Sequence, residues 1–480
     1  MLAAYIIIDV GTGNLRVAVA SKEGEILGIQ RSDIEYIKDE AYPDAIYFDP
    51  NQLWDSIIVL AKDALQQAGE VKVIGLTATS QREGIVLLDH AGKALIGLPN
   101  IDHRGREWEN DIADKNFVYD LTGRYPTSLF SAMKLVGVRN RKPEIWNQFS
   151  TFLSISDWVE YELSGVLHYE HSQASETLLY DVVQKNWSKK LADAFNLETS
   201  ILRKLVTSGT SLGLIKSDQA QQFNISPLAQ VIVGGADTQL AVVGTQPDTN
   251  DVIIVSGTTT PIIKLTAEYV LDEKQRTWTG RHVDEHSFMF ETNAGVTGLN
   301  YQRLKEIFYP NEGYEVIEKE VAALQNNNCF AALGSLVADE KGSMTKGGFI
   351  FDVPVSHQIS RAGFIYAALW DIACSIKENF DTLSNTSLHE KDFVWACGGG
   401  FQSRLLREFI ASLIGKKVSI RKGYQQSSVM GGVIICNNAL GESQIVAHTI
   451  ETIDPLVNEA YQSQYQKWKE TRKAIKATFN

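Results

Sequence analysis

Asp237 closes the run Gly234-Gly235-Ala236-Asp237, just beyond the apolar Val231–Val233, and Thr238-Gln239 follow it. A carboxylate there can cap the next helix, or it can stand at a strand end as a base. Phosphoryl transfer suits the second role, because it asks little covalent chemistry of a protein: an aspartate to accept a hydroxyl proton, cations, and positioning. Three glycine-rich turns bear on that reading. Asp9-Val10-Gly11-Thr12-Gly13 sets N–H groups and a hydroxyl around one point, where glycines admit a phosphate and Asp9 can hold a hydrated Mg²⁺. An ordinary hairpin turn has the same composition. Ser256-Gly257-Thr258-Thr259 ends a second strand similarly, and two such turns suit a nucleotide pinned between two domains. Gly398-Gly399-Gly400 follows the apolar Phe393–Cys397 and precedes a helix beginning near Gln402-Ser403. It is either a tight strand-to-helix turn or a platform for an adenine or ribose. The run is not GxGxxG, and no GxxxxGK[ST] P-loop occurs.

A separate polar set consists of Gln81, Arg82 and Glu83, with Asn100, Asp102 and Arg104 beyond the next strand. Each residue alone reads as surface. Together, flanking strands in the same half as Asp237, they have the density of donors and acceptors that a polyhydroxyl ligand needs.

These groups need a scaffold, and the periodicities supply one. Tyr5–Asp9 and Leu15–Ala20 predict a hairpin about the first glycine turn, and Lys22-Glu23-Gly24 leads to a third strand from Ile26. Asp49-Pro50 starts a helix with Leu53, Trp54, Ile57, Ile58, Ala61 and Leu65 at helical spacing. Val71–Thr77 and Gly84–Leu88 read as strands, and the stretch from about Arg104 to Leu205 as mostly helical. Val252–Val255, ending in the Ser256 turn, repeats the way the chain opens, which hints at a duplicated layout facing across a cleft. Helices are expected around Ala362–Glu378 and Ser403–Ile414, then a turn region at Gly431-Gly432, and a long surface helix at about 454–478.

The length of 480 residues suggests two large units. With 44% hydrophobic and 21% charged residues the chain is globular in composition. Its 45 Lys+Arg against 58 Asp+Glu give a net charge of −13, which argues against an electrostatic grip on nucleic acid or anionic membrane. No apolar run approaches the roughly 20 residues of a membrane span, and Met1–Ile8 lacks a basic n-region. Cys329, Cys374, Cys397 and Cys436 are widely separated among apolar residues, and read as buried thiols in a reducing cytoplasm.

Taken together the motifs resemble the FGGY carbohydrate kinase family over nearly the whole chain. The resemblance rests on DVGTGNLRVAVASKEGEIL at 9–27, SQREG at 80–84, SDWVEYELSG at 156–165, HSQASETLLYD at 171–181, GGADTQ at 234–239, SGTTT at 256–260 and GGGFQSRLLREFIASLIGKKV at 398–418. It implies an α/β fold of two actin-like ATPase (ribonuclease-H-like) domains: residues 1–243 on the substrate and phosphate side and 244–480 on the nucleotide side. It also implies a kinase that uses ATP and Mg²⁺ to phosphorylate a primary hydroxyl of a small sugar, polyol or sugar-like dihydroxy ketone. Asp237 would be the base; Asp9, with Asp237, would stand at the metal. Gly11, Thr12, Gly13, Asn14, Arg16, Gly257, Thr258 and Thr259 would face the phosphates, and Gly398, Gly399, Gly400 and Ser403 the adenosine. Gln81, Arg82, Glu83, Asn100, Asp102 and Gln239 would meet substrate hydroxyls. Arg82-Glu83 departs from the Met-His pair of xylulokinases, and SQREGIVLLDHAGKALIGLPNIDHR most resembles the autoinducer-2 kinases. Three positions depart from the family pattern: Gly137 in place of Trp, Ile365 in place of Glu, and Gln425-Gln426 in place of an acidic residue. Glycerol, pentulose or gluconate kinases of the family are the nearest alternatives. An actin- or chaperone-like ATPase and a silent sugar-binding regulator are alternatives of another class, and self-association as a homodimer stays open.

Overall fold

A computed structural model describes residues 1–479 apart from 285, 325–326, 341–343 and 446–447. The first sheet starts as an antiparallel meander of β1 (Leu2–Val10), β2 (Asn14–Ser21) and β3 (Ile26–Asp33), in which Asp9 pairs with Arg16 beside the hairpin turn. Helix α1 (Pro50–Ala68) is capped by the Asp49 side chain and covers one face through Leu53, Ile57, Leu60, Ala61 and Ala64. β4 (Val71–Ser80) then pairs parallel with β1. β5 (Ile85–Asp89), β6 (Ala94–Leu98) and β7 (Phe149–Ser154) form a small antiparallel sheet of their own. The expectation of a mostly helical 104–205 is therefore corrected at β7. Phe149, Phe152 and Leu153 are all buried, and a strand covered on both faces shows no alternation to betray it. Helix α2 (Ile155–Ser164) follows, then β8 (Ser211–Leu214), β9 (Gln230–Ala236) and helix α3 (Asp237–Thr245), giving the order β8-β9-β4-β1-β2-β3.

The second sheet repeats this plan. β10 (Val252–Val255), β11 (Thr259–Thr266) and β13 (Phe288–Val296) are antiparallel, with β12 (Trp278–Arg281) added outside β13. After helices α4 (Gly298–Phe308) and α5 (Arg361–Thr386), β14 (Phe393–Cys397) pairs parallel with β10. Helix α6 (Arg404–Ile414) leads to β15 (Lys417–Arg421), parallel to β14; helix α7 (Ser427–Leu440), β16 (Thr449–Ile453) and helix α8 (Glu459–Phe479) complete the fold. Apart from the added β12, each sheet thus has three antiparallel strands, then two parallel, then an antiparallel edge.

The halves exchange helices. Val429, Val433 and Cys436 of α7 pack with Tyr5, Ile7, Ala18, Ala20 and Ile232 of the first sheet. Ala241 and Val242 of α3 pack with Ile253, Val255, Ile263 and Cys397 of the second. Gly431-Gly432, expected at a turn, lies inside α7. A Cβ on Gly431 would stand 2.0 Å from the Leu240 carbonyl oxygen, and one on Gly244 2.1 Å from that of Ser427, so these glycines let α3 and α7 touch backbone to backbone. Packing here outweighs the low helix propensity of glycine. Helix α8 is mostly exposed but docks through Tyr465, Trp468, Arg472 and Ile475.

Candidate active site

Between the two sheets lies a cleft of about 930 Å³, lined by residues of both halves, and Asp237 faces into it. Its position follows from an irregularity in the sheet. The β9–β4 register slips between Ile232 and Gly235, and Glu160 of α2 fills the gap: one carboxylate oxygen accepts the N–H groups of Ala78 (3.1 Å) and Gly234 (2.8 Å). A Cβ on Gly234 would lie 1.9 Å from the Ala78 carbonyl oxygen, so only glycine allows this approach. Ala236 donates its N–H to Ser172 Oγ (3.0 Å), and α3 begins at Asp237 itself. Asp237 is therefore a first-turn residue, not the N-cap; Ala236 takes the cap position. Its Oδ1 accepts from the N–H (2.6 Å) and hydroxyl (3.1 Å) of Thr238. Burial, reinforced by the negative charge of Asp9, pushes the Asp237 carboxyl up to about 6 against the opposing pull of Arg82 and Thr238.

The first glycine turn stands alongside. Asp9 is buried, and its Oδ2 accepts from Ser428 Oγ (2.7 Å) and from Arg16, which also donates to Ser428 Oγ (3.1 Å) and to Gln426. Gly11 closes the hairpin by donating to the Asn14 carbonyl (3.0 Å). Gly11, Thr12, Gly13, Asn14 and Arg16 all line the cleft, as do Gly257, Thr258, Thr259 and Gly398–Gly400. Gly398 has φ +98°, and a Cβ there would meet the Ser256 carbonyl oxygen at 2.3 Å. The two turns of the second half are thereby pressed together, and Gly400 N–H donates to that same oxygen (3.1 Å).

The polar set divides into residues in the wall and residues behind it. Arg82, Glu83 and Asn100 line the cleft. Glu83 holds φ +62°, a region sparsely used by residues with side chains. Burial raises its carboxyl above the ordinary range, with Glu176 adding to the effect and Arg82 opposing it. Asn100 donates its side-chain amide to Thr12 Oγ1 (2.9 Å), and its buried Oδ1 has no hydrogen-bond partner. Gln81, Asp102, Gln239 and Ser403 are fully buried and lie outside the cleft lining. Gln81 ties the Gly11 carbonyl (3.1 Å) and the Tyr36 hydroxyl (3.2 Å) to the Asn100 N–H (2.8 Å). Asp102 bonds Arg104 Nε (2.8 Å) and the Ile46 N–H (2.9 Å). Gln239 reaches the Arg281 carbonyl (3.4 Å), and Ser403 caps α6 by accepting the Leu406 N–H (3.3 Å). Of the departures, Gln426 lines the cleft, Ile365 is buried in the second core, and Gly137 lets its helix lie on Arg104, 2.5 Å from where a Cβ would stand.

Sequence reasoning missed the contribution of the β12–β13 strap. Trp278 and Asn293 line the cleft beside Arg82, whose guanidinium carbon lies 5.8 Å from the Trp278 ring centroid. The strap belongs to the second sheet but is fastened to the first half. Thr279 N–H donates to the Gly123 carbonyl (2.9 Å), Arg281 N–H to Ser175 Oγ (3.0 Å), and Arg124 to the Thr279 carbonyl (2.9 Å). No local motif marks residues that act only through such distant docking.

The sequence model for the N-terminal domain of the FGGY family of carbohydrate kinases matches residues 4–244, and that for the C-terminal domain matches 342–440. A Bacillus subtilis protein named "Putative sugar kinase YoaC" is 49% identical over 98% of this chain and 96% of its own length. The chain belongs to the FGGY family of carbohydrate kinases. More distant FGGY relatives include an Escherichia coli autoinducer-2 kinase, 25% identical over 96% of this chain and 92% of that one. The FGGY fold, two actin-like ATPase domains, is shared with the Lactobacillus acidophilus xylulose kinase (TM-score 0.84, 19% identity, 100% and 99% of the two chains covered). It is shared equally with a Plasmodium falciparum glycerol kinase solved with ADP (TM-score 0.82, 18%, 99% and 98%). No helix among the described residues is long and apolar enough to cross a membrane, and all four cysteines are buried free thiols.

Proposed function

We propose that this FGGY kinase transfers the terminal phosphoryl group of ATP to a primary hydroxyl of a small sugar, polyol or sugar-like dihydroxy ketone, with Asp237 as general base. The observation that carries the reading is the position of Asp237: it faces one cleft together with glycine turns from both sheets and the Arg82–Glu83–Asn100 wall. A nucleotide fits the turns. A Cβ on Gly13 or Gly399 would meet nothing within 4 Å, and one on Gly257 nothing nearer than 3.9 Å, so a phosphate or ring can approach the backbone closely there, although the Gly257 N–H itself is held by the Thr259 carbonyl (3.0 Å). The negative charge of Asp9 raises the cost of ionising Asp237, as a second carboxylate does where a divalent cation belongs. Mg²⁺ held there would neutralise charge on the phosphoryl oxygens.

The chain's own residues do the rest. With a carboxyl at about 6, Asp237 is ionised near neutral pH and basic enough to take the hydroxyl proton. Thr12 and Thr258 offer hydroxyls on the phosphate side, and Gly398–Gly400 offer flat backbone to adenosine. Arg82, Glu83 and Asn100 hold the acceptor, while Gln81 and Asp102 hold the wall. The names of the relatives, an autoinducer-2 kinase and a glycerol kinase crystallised with ADP, support ATP and a short polyhydroxyl acceptor. Buried thiols fit a reducing cytoplasm.

A coupled ADP-release screen over pentuloses, hexuloses, glycerol, erythritol, gluconate and dihydroxy-pentanedione identifies the acceptor. With that acceptor Asp237→Asn is expected to keep binding and lose about 10²–10⁴-fold in kcat. An unchanged kcat removes Asp237 from the role.

A further inference from the structure

Arg82 looks like the cation that would greet an acidic sugar, yet its charge is already spent. Its two terminal nitrogens meet both carboxylate oxygens of Glu291 on β13, at 2.6 and 2.9 Å, and the side chains are 8% and 3% exposed. Such a fork-to-fork pair is the strongest form of the contact and fixes the guanidinium plane. Asn293 Nδ2 adds a third hydrogen bond to Glu291 (3.2 Å). The neighbouring cations are also committed: Arg124 pairs with Glu176, and Lys134 gives its ammonium to the carbonyls of Asn100 (3.3 Å), Asp102 (2.8 Å) and Leu129 (2.5 Å). Beside Arg82 the cleft lining adds Glu83 and Asp237, both acidic, while its other cations, Arg16, Arg31 and Lys305, are carried by β2, β3 and α4. A carboxylate held against the Arg82 wall would be desolvated beside cations already paired or hydrogen-bonded, whereas hydroxyls can still use the remaining N–H groups of Arg82.

We infer that Glu291 is a specificity-determining positioning residue: by occupying Arg82 from across the cleft it restricts this kinase to neutral polyhydroxyl acceptors and rejects aldonates. The inference rests on the kinase reading above and names the acceptor class for that same site.

The test compares acceptors matched except for charge, such as glucitol with gluconate and glycerol with glycerate, alongside the neutral ketoses. Wild-type protein is expected to release ADP with neutral acceptors only. Glu291→Gln keeps the size and one hydrogen bond but frees the guanidinium charge. The ratio of kcat/KM for aldonate over neutral acceptor is expected to rise about 10- to 100-fold, the range of a charge-assisted contact. Adding Arg82→Gln is expected to cancel the rise, which a merely structural role of Glu291 would not produce. A wild-type protein that uses gluconate as well as neutral sugars overturns the inference while leaving the kinase reading intact. So does an unchanged ratio in a Glu291→Gln protein with the wild-type unfolding midpoint. ADP release with no acceptor of either kind overturns the kinase reading and this inference with it. Should Glu291→Gln fail to fold, the wild-type comparison decides.

Discussion

His168 is held between Asp157 (3.2 Å) and Glu160 (3.0 Å), and its other ring nitrogen lies 3.1 Å from the Val166 carbonyl; all three side chains are 1% exposed. Three possible metal ligands so close together invite a metal reading, but the hydrogen bonds among them, to Ser154 Oγ and to strand N–H groups account for the cluster. Burial alone would lower the pKa of His168; the two carboxylates outweigh it and raise it to about 11. A base so raised stabilises the fold fully below its unfolded value near 6.5 and loses that contribution as pH climbs through its folded value. Linkage puts the loss at about 1.4 kcal/mol per pH unit in between. Urea unfolding from about pH 8 to about pH 10 is therefore expected to show wild-type stability falling more steeply than that of His168→Gln by this slope. Parallel curves would mean His168 is neutral in the fold. The cluster underlies Glu160 and so the bulge beneath Asp237. Asp157 and Glu160 stood in the motif SDWVEYELSG and His168 just beyond it, yet nothing in their spacing told that they brace two strands. Asp237, Arg82 and Glu83 were legible because their types suit the chemistry; Gln81 and Asp102 were legible only as polar, since burial decides whether an amide binds ligand or wall.

Helices α3 and α7 meet through Gly244 and Gly431, where backbone replaces side chain as the contact surface. Gly431→Val must drive a branched side chain into the Leu240 carbonyl, which stands 2.0 Å from the Cβ position. A loss of about 3 kcal/mol is expected in denaturant titration, as for an overpacked core; a loss below about 0.5 kcal/mol would show that the helices are free to separate. The element pattern was largely legible: the opening meander, α1 and α6 follow from alternation, caps and helical spacing. Gly431-Gly432 misled, because glycine pairs mark turns by local preference and helix contacts by tertiary demand, and only the second applies here. β7 was lost for the converse reason, an apolar run with both faces covered.

Across the molecule, each sheet is completed by a helix from the other half, and the β12–β13 strap fastens the halves again at the cleft. Two units of this size linked by a plain hinge would melt separately. Here one face of each sheet is closed by a helix from the other half, so calorimetry is expected to give one transition with equal calorimetric and van't Hoff enthalpies; two resolved peaks would contradict the exchange. In the sequence this whole-molecule plan surfaced only as two short strand-turn echoes, Val10–Gly13 and Val255–Thr260, because strand order repeats where residues do not.

The exchange also sets a schedule for synthesis. Strands of the first sheet are complete at Ala236, but α7, which covers Tyr5, Ile7, Ala18 and Ile232, is finished only at Leu440. At ribosomal speeds the intervening residues take about 10–40 s. For that interval the nascent first half carries an apolar face that waits for α7 to cover it.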